Sequence, residues 1–396
     1  MGVRGTIAPR TPVRRSILRI TSTSYLVHTQ PGLESIALTE VEARFAANAA
    51  KRVSTDHPAK KPQSGVRELA RRVVPGRAGM YLFHAPEPEP LRLMRSGEDI
   101  FAAVAYESGI AEGRFALEFI RKVSREAPYV APALEARVTT LPGSRAGRRL
   151  KFRVIARVVG DQEFRRKEFQ RAVERGITER ADHAWRLVED EADVEFWATL
   201  IEDEFFLAVR LSDETMRLRD YKAAHIPGSL RPSVAAAMGL LAQPKPDDIV
   251  LDPFCGAGTI LIERAHLDRY KALIGGDLDR VALDAARTNI GPRYKPIELH
   301  QWDAAALPLP DRSVNRIITN LPWGVKHGSH PENRRLYPRL FKEFARLVQP
   351  GGVVVMLTGE TRLMSDLFRA NTLRAEKIFR VSILGASAAI YVCPVR

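Results

Sequence analysis

The chain has 396 residues with a formal net charge of +14, and hydrophobic residues make up 45% of it. The length predicts two or three domains, and this apolar content is that of a globular protein, which excludes a disordered chain. No apolar run approaches the length that crosses a bilayer, and the only cysteines, Cys255 and Cys393, exclude a disulfide framework and a cysteine-rich zinc site.

The positive charge is concentrated at the start of the chain. Residues 1–160 carry 27 Lys+Arg against 14 Asp+Glu, whereas residues 161–225 carry 11 against 17. Such an excess is typical of a surface that meets a polyanion, and a solvated arginine-rich face is the alternative. Residues 1–20 are basic but lack the apolar core and cleavage site of a secretory signal, so a flexible basic arm is expected, with an organelle address as the alternative. The low cysteine content favours a cytoplasmic protein.

The first 225 residues predict a mixture of strands and helices. In chain order they read as a strand, a Pro-Gly turn and a helix (YLVHTQPGLESIALTEVEARF), a strand (GMYLFHA), a helix (SGEDIFAAVAYE), a strand (KFRVIARVV), a helix (EFQRAVERGITERA) and a β-hairpin (VEFWATLIEDEFFLAVRLS). Residues 51–65 and 86–91 carry Pro, Lys and Ser and are expected to form loops. The pattern indicates α+β structure in two small modules that meet near residue 105.

From residue 248 onward, short apolar strands alternate with helices. The strand-like segments are DIVLD, ALIGGD, IELHQWD, VNRIITN and VVVMLT, and the helical ones are TILIERAHL, RVALDAARTN and RRLYPRLFKEFARLV. The last helix repeats apolar residues at helical spacing that should face the sheet, namely Leu336, Leu340, Phe344 and Leu347. Alternation of this kind predicts βαβ units on a mostly parallel sheet, and KIFRVSILGASAAIYVCPV predicts an antiparallel hairpin at one edge.

The segment LDPFCGAGT, residues 251–259, predicts a tight turn between a strand and a helix. The strand ends at Asp252, Gly256 and Gly258 let the backbone turn, and the helix is expected to begin near Thr259. Glycines here allow a ligand to lie against the main chain, and the helix N-terminus offers free N–H groups. A Gly-x-Gly turn alone is a weak signal, because many strand-to-helix turns contain glycine for steric reasons.

Two further acidic residues follow neighbouring strands. Asp277 ends the next strand, where a carboxylate can bind a ribose diol, and Asp303 closes the strand after it, where it can accept from an adenine amino group. Three strand-end acids around one glycine turn predict a nucleoside pocket. NAD is disfavoured because Ile260 and Leu261 stand where its fingerprint needs a third glycine, and because Asp252 would repel a pyrophosphate. S-adenosylmethionine fits, since it has an ammonium, a sulfonium and no phosphate.

The segment TNLPWG, residues 319–324, ends the fourth strand of this sheet. The amide oxygen of Asn320, with the main-chain carbonyl of Leu321 or Pro322, can accept both hydrogens of an exocyclic amino group beside a methyl donor. Trp323 offers a flat surface for a splayed-out base, and a capped turn with a buried ring is the structural alternative. Because asparagine is not a base, we expect in-line transfer first and proton loss afterwards, with positioning supplying most of the rate gain.

The motifs DPFCGAGT, GGDLD and TNLPWG, in this order, resemble the class I S-adenosylmethionine-dependent methyltransferases that modify exocyclic amino nitrogens. With RLRDYKAAHIPGSLRPSVAAAM upstream, and with YLVHTQPGLESIALTEV and KFRVIARVVGDQEFRRKEF before it, the chain is similar to the THUMP-domain RNA guanine-N2 methyltransferases. The resemblance implies an α/β Rossmann-like domain over residues 213–396, with a mostly parallel sheet and a C-terminal antiparallel hairpin. Before it, an α+β ferredoxin-like domain with the basic arm is expected over 1–105 and a THUMP RNA-binding domain over 106–212.

The same resemblance implies methylation of a guanine N2 in tRNA, with S-adenosylmethionine as the cofactor. Separately, a monomeric protein is expected. Leu321 and Trp323 depart from the Pro and Tyr or Phe of many amino methyltransferases, and a leucine at the second position favours guanine over adenine. The resemblance assigns Gly256, Gly258 and Thr259, near Asp252, to the methionine end of the cofactor. It assigns Asp277 to the ribose, Asp303 to the adenine, and Asn320, Pro322 and Trp323 to the target base. Arg231, in the LRPS turn, is assigned either to closing the cofactor pocket or to a structural role.

Several alternatives stay open from the sequence. The RNA substrate could instead be 23S rRNA, or the chain could be a non-catalytic RNA-binding protein with a vestigial methyltransferase fold. A DNA or protein amino methyltransferase is disfavoured by the basic N-terminal half. The nine histidines show no metal-ligand spacing, so no metal is expected. His327 and His330 follow TNLPWG and could touch the substrate, although a mobile loop is the default there.

Overall fold

A computed structural model describes residues 18–52, 64–74, 78–111, 113–145, 147–324, 329–383 and 385–396. The first of its two sheets is built, with its helices, from β1 (Ser24–Thr29), α1 (Glu34–Arg52), β2 (Arg67–Val74), β3 (Ala78–His84), a 3-10 helix (Glu89–Leu93), β4 (Asp99–Ser108), α2 (Arg114–Glu126), α3 (Val130–Thr140), β5 (Arg149–Val159), α4 (Arg166–Thr178), β6 (Ala184–Leu187), β7 (Val194–Ile201) and β8 (Glu204–Arg210).

The second sheet follows with α5 (Thr215–Leu218), α6 (Pro232–Leu241), β9 (Ile249–Asp252), α7 (Thr259–Leu267), β10 (Ala272–Asp277), α8 (Arg280–Ile290), β11 (Ile297–Gln301), β12 (Val314–Asn320), α9 (His330–Leu347), β13 (Val348–Thr358), α10 (Thr361–Ala370), β14 (Lys377–Ile383) and β15 (Ala386–Pro394). The strands expected from the sequence in this half, the three helices and the terminal hairpin are confirmed. Residues 1–17 of the expected basic arm lie outside the described residues, as does most of the expected loop at 51–65.

The N-terminal sheet is continuous, with the strand order β2-β3-β1-β4-β8-β7-β5-β6. Its centre is β4, which is antiparallel to β1 on one side and to β8 on the other. The expected boundary near residue 105 therefore lies inside a strand rather than in a loop. The expected strands at β3 and β5, the helix at α4 and the hairpin β7–β8 are confirmed.

The helix predicted for SGEDIFAAVAYE is wrong, because these residues contain most of β4. Phe101 and Ala103 pack into the core on one face of the sheet, while Ile100, Ala102 and Val104 pack into the core on the other. A central strand that is apolar on both faces loses the alternation of apolar and polar residues that marks a strand in a sequence. The alanines of SGEDIFAAVAYE then favour the prediction of a helix.

The C-terminal sheet has the order β11-β10-β9-β12-β13-β15-β14. Its strands run parallel except β15, which is antiparallel to both β13 and β14. The chain moves outward from β9 to β11 and then crosses back to β12, on the other side of β9. Ligands in open α/β sheets bind at such a switch point, outside the carboxyl ends of the strands. The sheet topology therefore predicts a ligand site where β9 and β12 end.

Helix α9 packs on this sheet as its apolar spacing predicts. Leu340, Phe344 and Leu347 are buried in one core cluster, and Leu336 is half-buried against the same cluster. The spacing of three and four residues puts these side chains on one helix face. The N-terminus of α9 lies beside the loop that follows β12, since a Cβ on Gly324 would lie 2.8 Å from the His330 main-chain nitrogen.

Buried charges join the N-terminal half to the helix that follows the glycine turn. Glu263 on α7 is fully buried, and its carboxylate accepts from Arg95 (Nε, 2.6 Å), Arg219 (Nε, 3.1 Å) and Tyr221 (Oη, 2.8 Å). Two guanidinium groups and a hydroxyl compensate the desolvation of this carboxylate. The ion pairs fix α7 against the loop that precedes β4.

Candidate functional site

The glycine turn adopts the conformation that its sequence predicts. Gly256 has φ +51° and Gly258 φ +77°, backbone angles that favour glycine. Helix α7 begins at Thr259, as expected, and the Gly258 N–H donates to the Cys255 carbonyl at 2.8 Å. Cys255 is buried, and burial raises the pKa of its thiol well above the usual value. It therefore packs under the turn as a neutral thiol.

Asp277, at the end of β10, is bound to the glycine turn. One carboxylate oxygen accepts from the Gly256 N–H and the other from the Asp279 N–H, each at 2.9 Å. The residue is half-buried, and each oxygen keeps a lone pair for a further donor. The carboxylate is thereby oriented toward the crevice beside the turn, where a ribose diol could donate to it.

Asp252, at the end of β9, is fully buried beneath the same turn. Its Oδ1 accepts from the Phe254 N–H at 3.2 Å, while its Oδ2 has no hydrogen-bond partner within the described part of the chain. Burial raises the pKa of Asp252 to about 7, although the neighbouring Thr319 hydroxyl and the Phe254 N–H act to lower it. An orphaned buried carboxylate oxygen suits an incoming ammonium group, so the residues fit the methionine end of S-adenosylmethionine.

Asp303 lies two residues beyond β11 and is about half exposed. It accepts from the Ala305 N–H at 2.9 Å and contacts Arg339 at 3.4 Å.

Two apolar surfaces lie beside the strand-end acids. Next to Asp303, the Trp302 ring stacks on His300 with centroids 4.0 Å apart, and the Leu278 side chain is 64% exposed next to Asp277. Such apolar surfaces suit a purine ring. Sequence reasoning missed both Trp302 and Leu278, although Leu278, an apolar residue directly after the strand-end Asp277, is a visible signal.

Arg231 contacts the N-terminal half rather than the glycine turn. Its Nη1 lies 3.0 Å from Oε1 of Glu98, an oxygen that also accepts from Gln30 at 2.6 Å and from Ser233 at 3.2 Å. The residue directly precedes α6. These contacts support the structural alternative for Arg231 and give no support to pocket closure.

Asn289, a residue that sequence reasoning missed, holds a strap formed by residues 224–226 over the glycine turn. Asn289 is buried near the end of α8; its Oδ1 accepts from the Ala224 N–H (2.8 Å), and its Nδ2 donates to the carbonyls of Ala224 and Ala257 (3.0 Å each). Farther along the strap, a Cβ on Gly256 would lie 3.5 Å from Ile226. The strap therefore covers the turn.

Asn320 is the last residue of β12 and lies at the same sheet edge as the glycine turn, because β12 and β9 are parallel neighbours paired at Ile317 and Leu251. Its amide oxygen accepts from the indole Nε1–H of Trp323 at 3.0 Å. The indole ring is half-buried, and a Cβ on Gly359 would lie 3.1 Å from it. Trp323 thus orients the Asn320 amide, and one lone pair of that oxygen stays available.

The carbonyl of Pro322 already accepts two hydrogen bonds. Asn333 donates to it from Nδ2 at 2.9 Å, and Tyr337 from its hydroxyl at 2.7 Å. A carbonyl oxygen has two lone pairs, so this oxygen has no capacity for an amino group. Of the two carbonyls considered from the sequence, Leu321 remains as the acceptor that can work with Asn320.

Of the two histidines considered after TNLPWG, His327 lies outside the described residues. His330 begins α9, and its Nδ1 lies 2.7 Å from Oε2 of Glu360. The other oxygen of Glu360 accepts from Asn333 at 3.1 Å. Glu360 therefore connects the start of α9 to the end of β13.

No helix among the described residues combines the length and the apolar character needed to cross a membrane. Within the same ranges, no three His, Cys, Asp or Glu side chains are grouped so that they could hold a metal ion.

The parallel sheet, the glycine turn and the strand-end acids define a class I methyltransferase domain. A family model described as the RMKL-like methyltransferase domain matches residues 219–388. The crystal structure of TrmN from Thermus thermophilus superposes with a TM-score of 0.70 and 25% identity, covering 94% of this chain and 99% of that one.

Sequence relatives identify the family. The tRNA (guanine(6)-N2)-methyltransferase of Thermus thermophilus is 34% identical over 60% of this chain and 70% of its own length. The mouse tRNA (guanine(6)-N(2))-methyltransferase THUMP3 is 30% identical over 66% of this chain, and the match spans 58% of the mouse protein. The chain belongs to the THUMP-class RNA guanine-N2 methyltransferases.

Proposed function

We propose that this protein transfers a methyl group from S-adenosylmethionine to the exocyclic N2 of a guanine in tRNA. The observation that carries the proposal is the Asn320 amide, held by the Trp323 indole at the end of β12, beside the glycine turn at the end of β9. The names of the relatives support tRNA as the substrate class.

The cofactor site follows from the residues around the turn. The orphaned Oδ2 of Asp252 and the N-terminus of α7 receive the amino-acid end, Asp277 accepts from the ribose, and Asp303 lies where an adenine amino group can donate. When bound, S-adenosylmethionine supplies an electrophilic methyl group on a sulfonium.

The target base is held by the loop after β12. The free lone pair of the Asn320 amide oxygen and the Leu321 carbonyl accept the two N2 hydrogens, so the nitrogen lone pair points at the methyl carbon. The N2–C bond forms as the S–C bond breaks, and N2 then loses one proton to solvent, because asparagine cannot accept it. Alignment of the two reacting atoms supplies most of the acceleration.

The N-terminal half is proposed to bind the folded RNA. Residues 1–160 carry most of the excess positive charge, and recognition of folded RNA depends on shape and backbone contacts. We assign a ferredoxin-like domain to about 1–105, a THUMP domain to about 106–212 and the methyltransferase domain to 213–396, with β4 shared by the first two. A cytoplasmic monomer is part of the same proposal.

Transfer of tritiated methyl groups to bulk tRNA from a strain that lacks this gene tests the proposal. Nucleoside mass spectrometry should identify the product as N2-methylguanosine. Asn320→Ala should abolish transfer and leave the calorimetric affinity for S-adenosylmethionine unchanged, whereas the control Asn371→Ala, at the end of α10, should keep both. Label only in 23S rRNA would move the substrate to ribosomal RNA, and absence of cofactor binding by the wild-type protein would support the non-catalytic alternative.

A further inference from the structure

We infer that Asn333 and Tyr337, on α9, are positioning residues for methyl transfer: they hold the Pro322 carbonyl and thereby set the geometry of the loop that binds the base. The inference rests on the proposed function, since it concerns the same loop. Neither residue follows from the motif, because both lie more than ten positions after Pro322 and belong to a helix that otherwise packs against the sheet.

The donors in this arrangement are unambiguous. A carbonyl cannot donate, so the Tyr337 hydroxyl hydrogen points to Pro322, and the Thr358 hydroxyl, 2.8 Å away, donates to the Tyr337 oxygen. Thr358 in turn accepts from the Glu360 N–H at 3.0 Å. Burial raises the pKa of Tyr337, so its hydroxyl stays protonated and continues to donate.

The orientation of Asn333 follows from its two partners. Its side-chain nitrogen faces the Pro322 carbonyl and Oε1 of Glu360, and both of these are acceptors. Only the NH₂ group of an amide can satisfy two acceptors at once. Asn333 is 1% exposed and Tyr337 0%, so water cannot replace either donor without rearrangement of the core.

The loop is held between these donors and a close backbone contact. Gly324 has φ +73°, and a Cβ there would lie 2.8 Å from the His330 main-chain nitrogen. Pro322 lies between Asn320 and Trp323, the pair whose hydrogen bond orients the amide acceptor. A shift of the Pro322 carbonyl therefore moves both members of that pair.

Saturating the Pro322 carbonyl has a second consequence. With both lone pairs occupied by Asn333 and Tyr337, this oxygen cannot accept an amino hydrogen, so it does not compete with Leu321. The two side chains therefore hold the loop and also leave one main-chain acceptor for the substrate.

The test compares Tyr337→Phe and Asn333→Ala with the wild-type protein, using Tyr81→Phe as the matched control. Tyr81 is likewise fully buried, but its hydroxyl has no hydrogen-bond partner within the described residues. Each loop variant should lower kcat by about 10- to 100-fold, because small misplacements of reacting groups have effects of this size. The KM for tRNA and the calorimetric Kd for S-adenosylmethionine should stay unchanged, and the control should keep the wild-type kcat.

A second measurement is independent of activity. In a nitrogen-15 spectrum, the indole N–H resonance of Trp323, assigned by its loss in Trp323→Phe, should shift in Tyr337→Phe and stay in place in Tyr81→Phe. A folded Tyr337→Phe with wild-type kcat and an unshifted indole resonance would overturn the inference. So would an equal loss of kcat in the control. If the wild-type protein does not methylate guanine at all, the proposed function fails, while the indole resonance still tests the loop geometry.

Discussion

Replacing Asp252 by asparagine should stabilise the cofactor-free protein at neutral pH while weakening its affinity for S-adenosylmethionine. The carboxyl group is fully buried, and burial raises its pKa from 3.8 to about 7. A raised carboxyl pKa means that the folded state binds more protons than the unfolded state between these values, so stability falls as the pH rises from about 4 to about 7.

The size of this effect follows from the shift itself. One pKa unit corresponds to about 1.4 kcal/mol, so ionisation of Asp252 in the folded protein costs roughly 4 kcal/mol at pH 8, as an upper bound. Asparagine keeps the oxygen that accepts from the Phe254 N–H and removes the ionisable group. Asp252→Asn should therefore gain up to roughly 4 kcal/mol at pH 8 and almost nothing at pH 4.

Urea unfolding at the two pH values, with Asp247→Asn as the control for loss of one exposed carboxylate, measures this difference. Calorimetry at pH 8 should show weaker binding of S-adenosylmethionine by Asp252→Asn, because the variant lacks the negative charge that would pair with an ammonium. An unchanged pH dependence of stability would refute the reasoning about burial. Unchanged cofactor affinity would remove Asp252 from the binding site.

Three further substitutions test other parts of the site. Trp323→Phe keeps an aromatic ring but loses the N–H that binds Asn320, so kcat should fall about tenfold with unchanged cofactor affinity, measured by methyl transfer. Glu263→Gln leaves the buried Arg219 and the partly buried Arg95 without their carboxylate and should lower the free energy of unfolding by about 3–5 kcal/mol in urea. Asn289→Ala removes three hydrogen bonds that hold the strap over the glycine turn, so the calorimetric Kd for S-adenosylmethionine should rise about tenfold.

Each of these expectations has an outcome that contradicts it. Wild-type kcat in Trp323→Phe would show that the indole does not orient the amide. A Glu263→Gln variant as stable as the wild type would mean that Arg95 and Arg219 find other acceptors. Unaltered cofactor affinity in Asn289→Ala would mean that the strap does not shape the pocket.

The sequence alone was sufficient for the C-terminal sheet and for the glycine turn. Strands β9 to β13 each end at a polar residue, and helices α8 and α9 each bury one apolar face, so local patterns and tertiary environment agree there. The helix start expected near Thr259 is observed at Thr259, directly after Gly258, whose φ is +77°. These features depend on backbone sterics, which act between near neighbours in the chain.

Tertiary structure decided what depends on residues that are distant in sequence. β4 is a strand because β1 and β8 pair with it on both sides, which no local pattern of its alanines reveals. Arg231 turns to Glu98, which is 133 residues away in sequence, and the Pro322 carbonyl is filled by donors from a helix that starts after the motif has ended. The motif specified which groups can bind a base, whereas packing decided which of their lone pairs are free to do so.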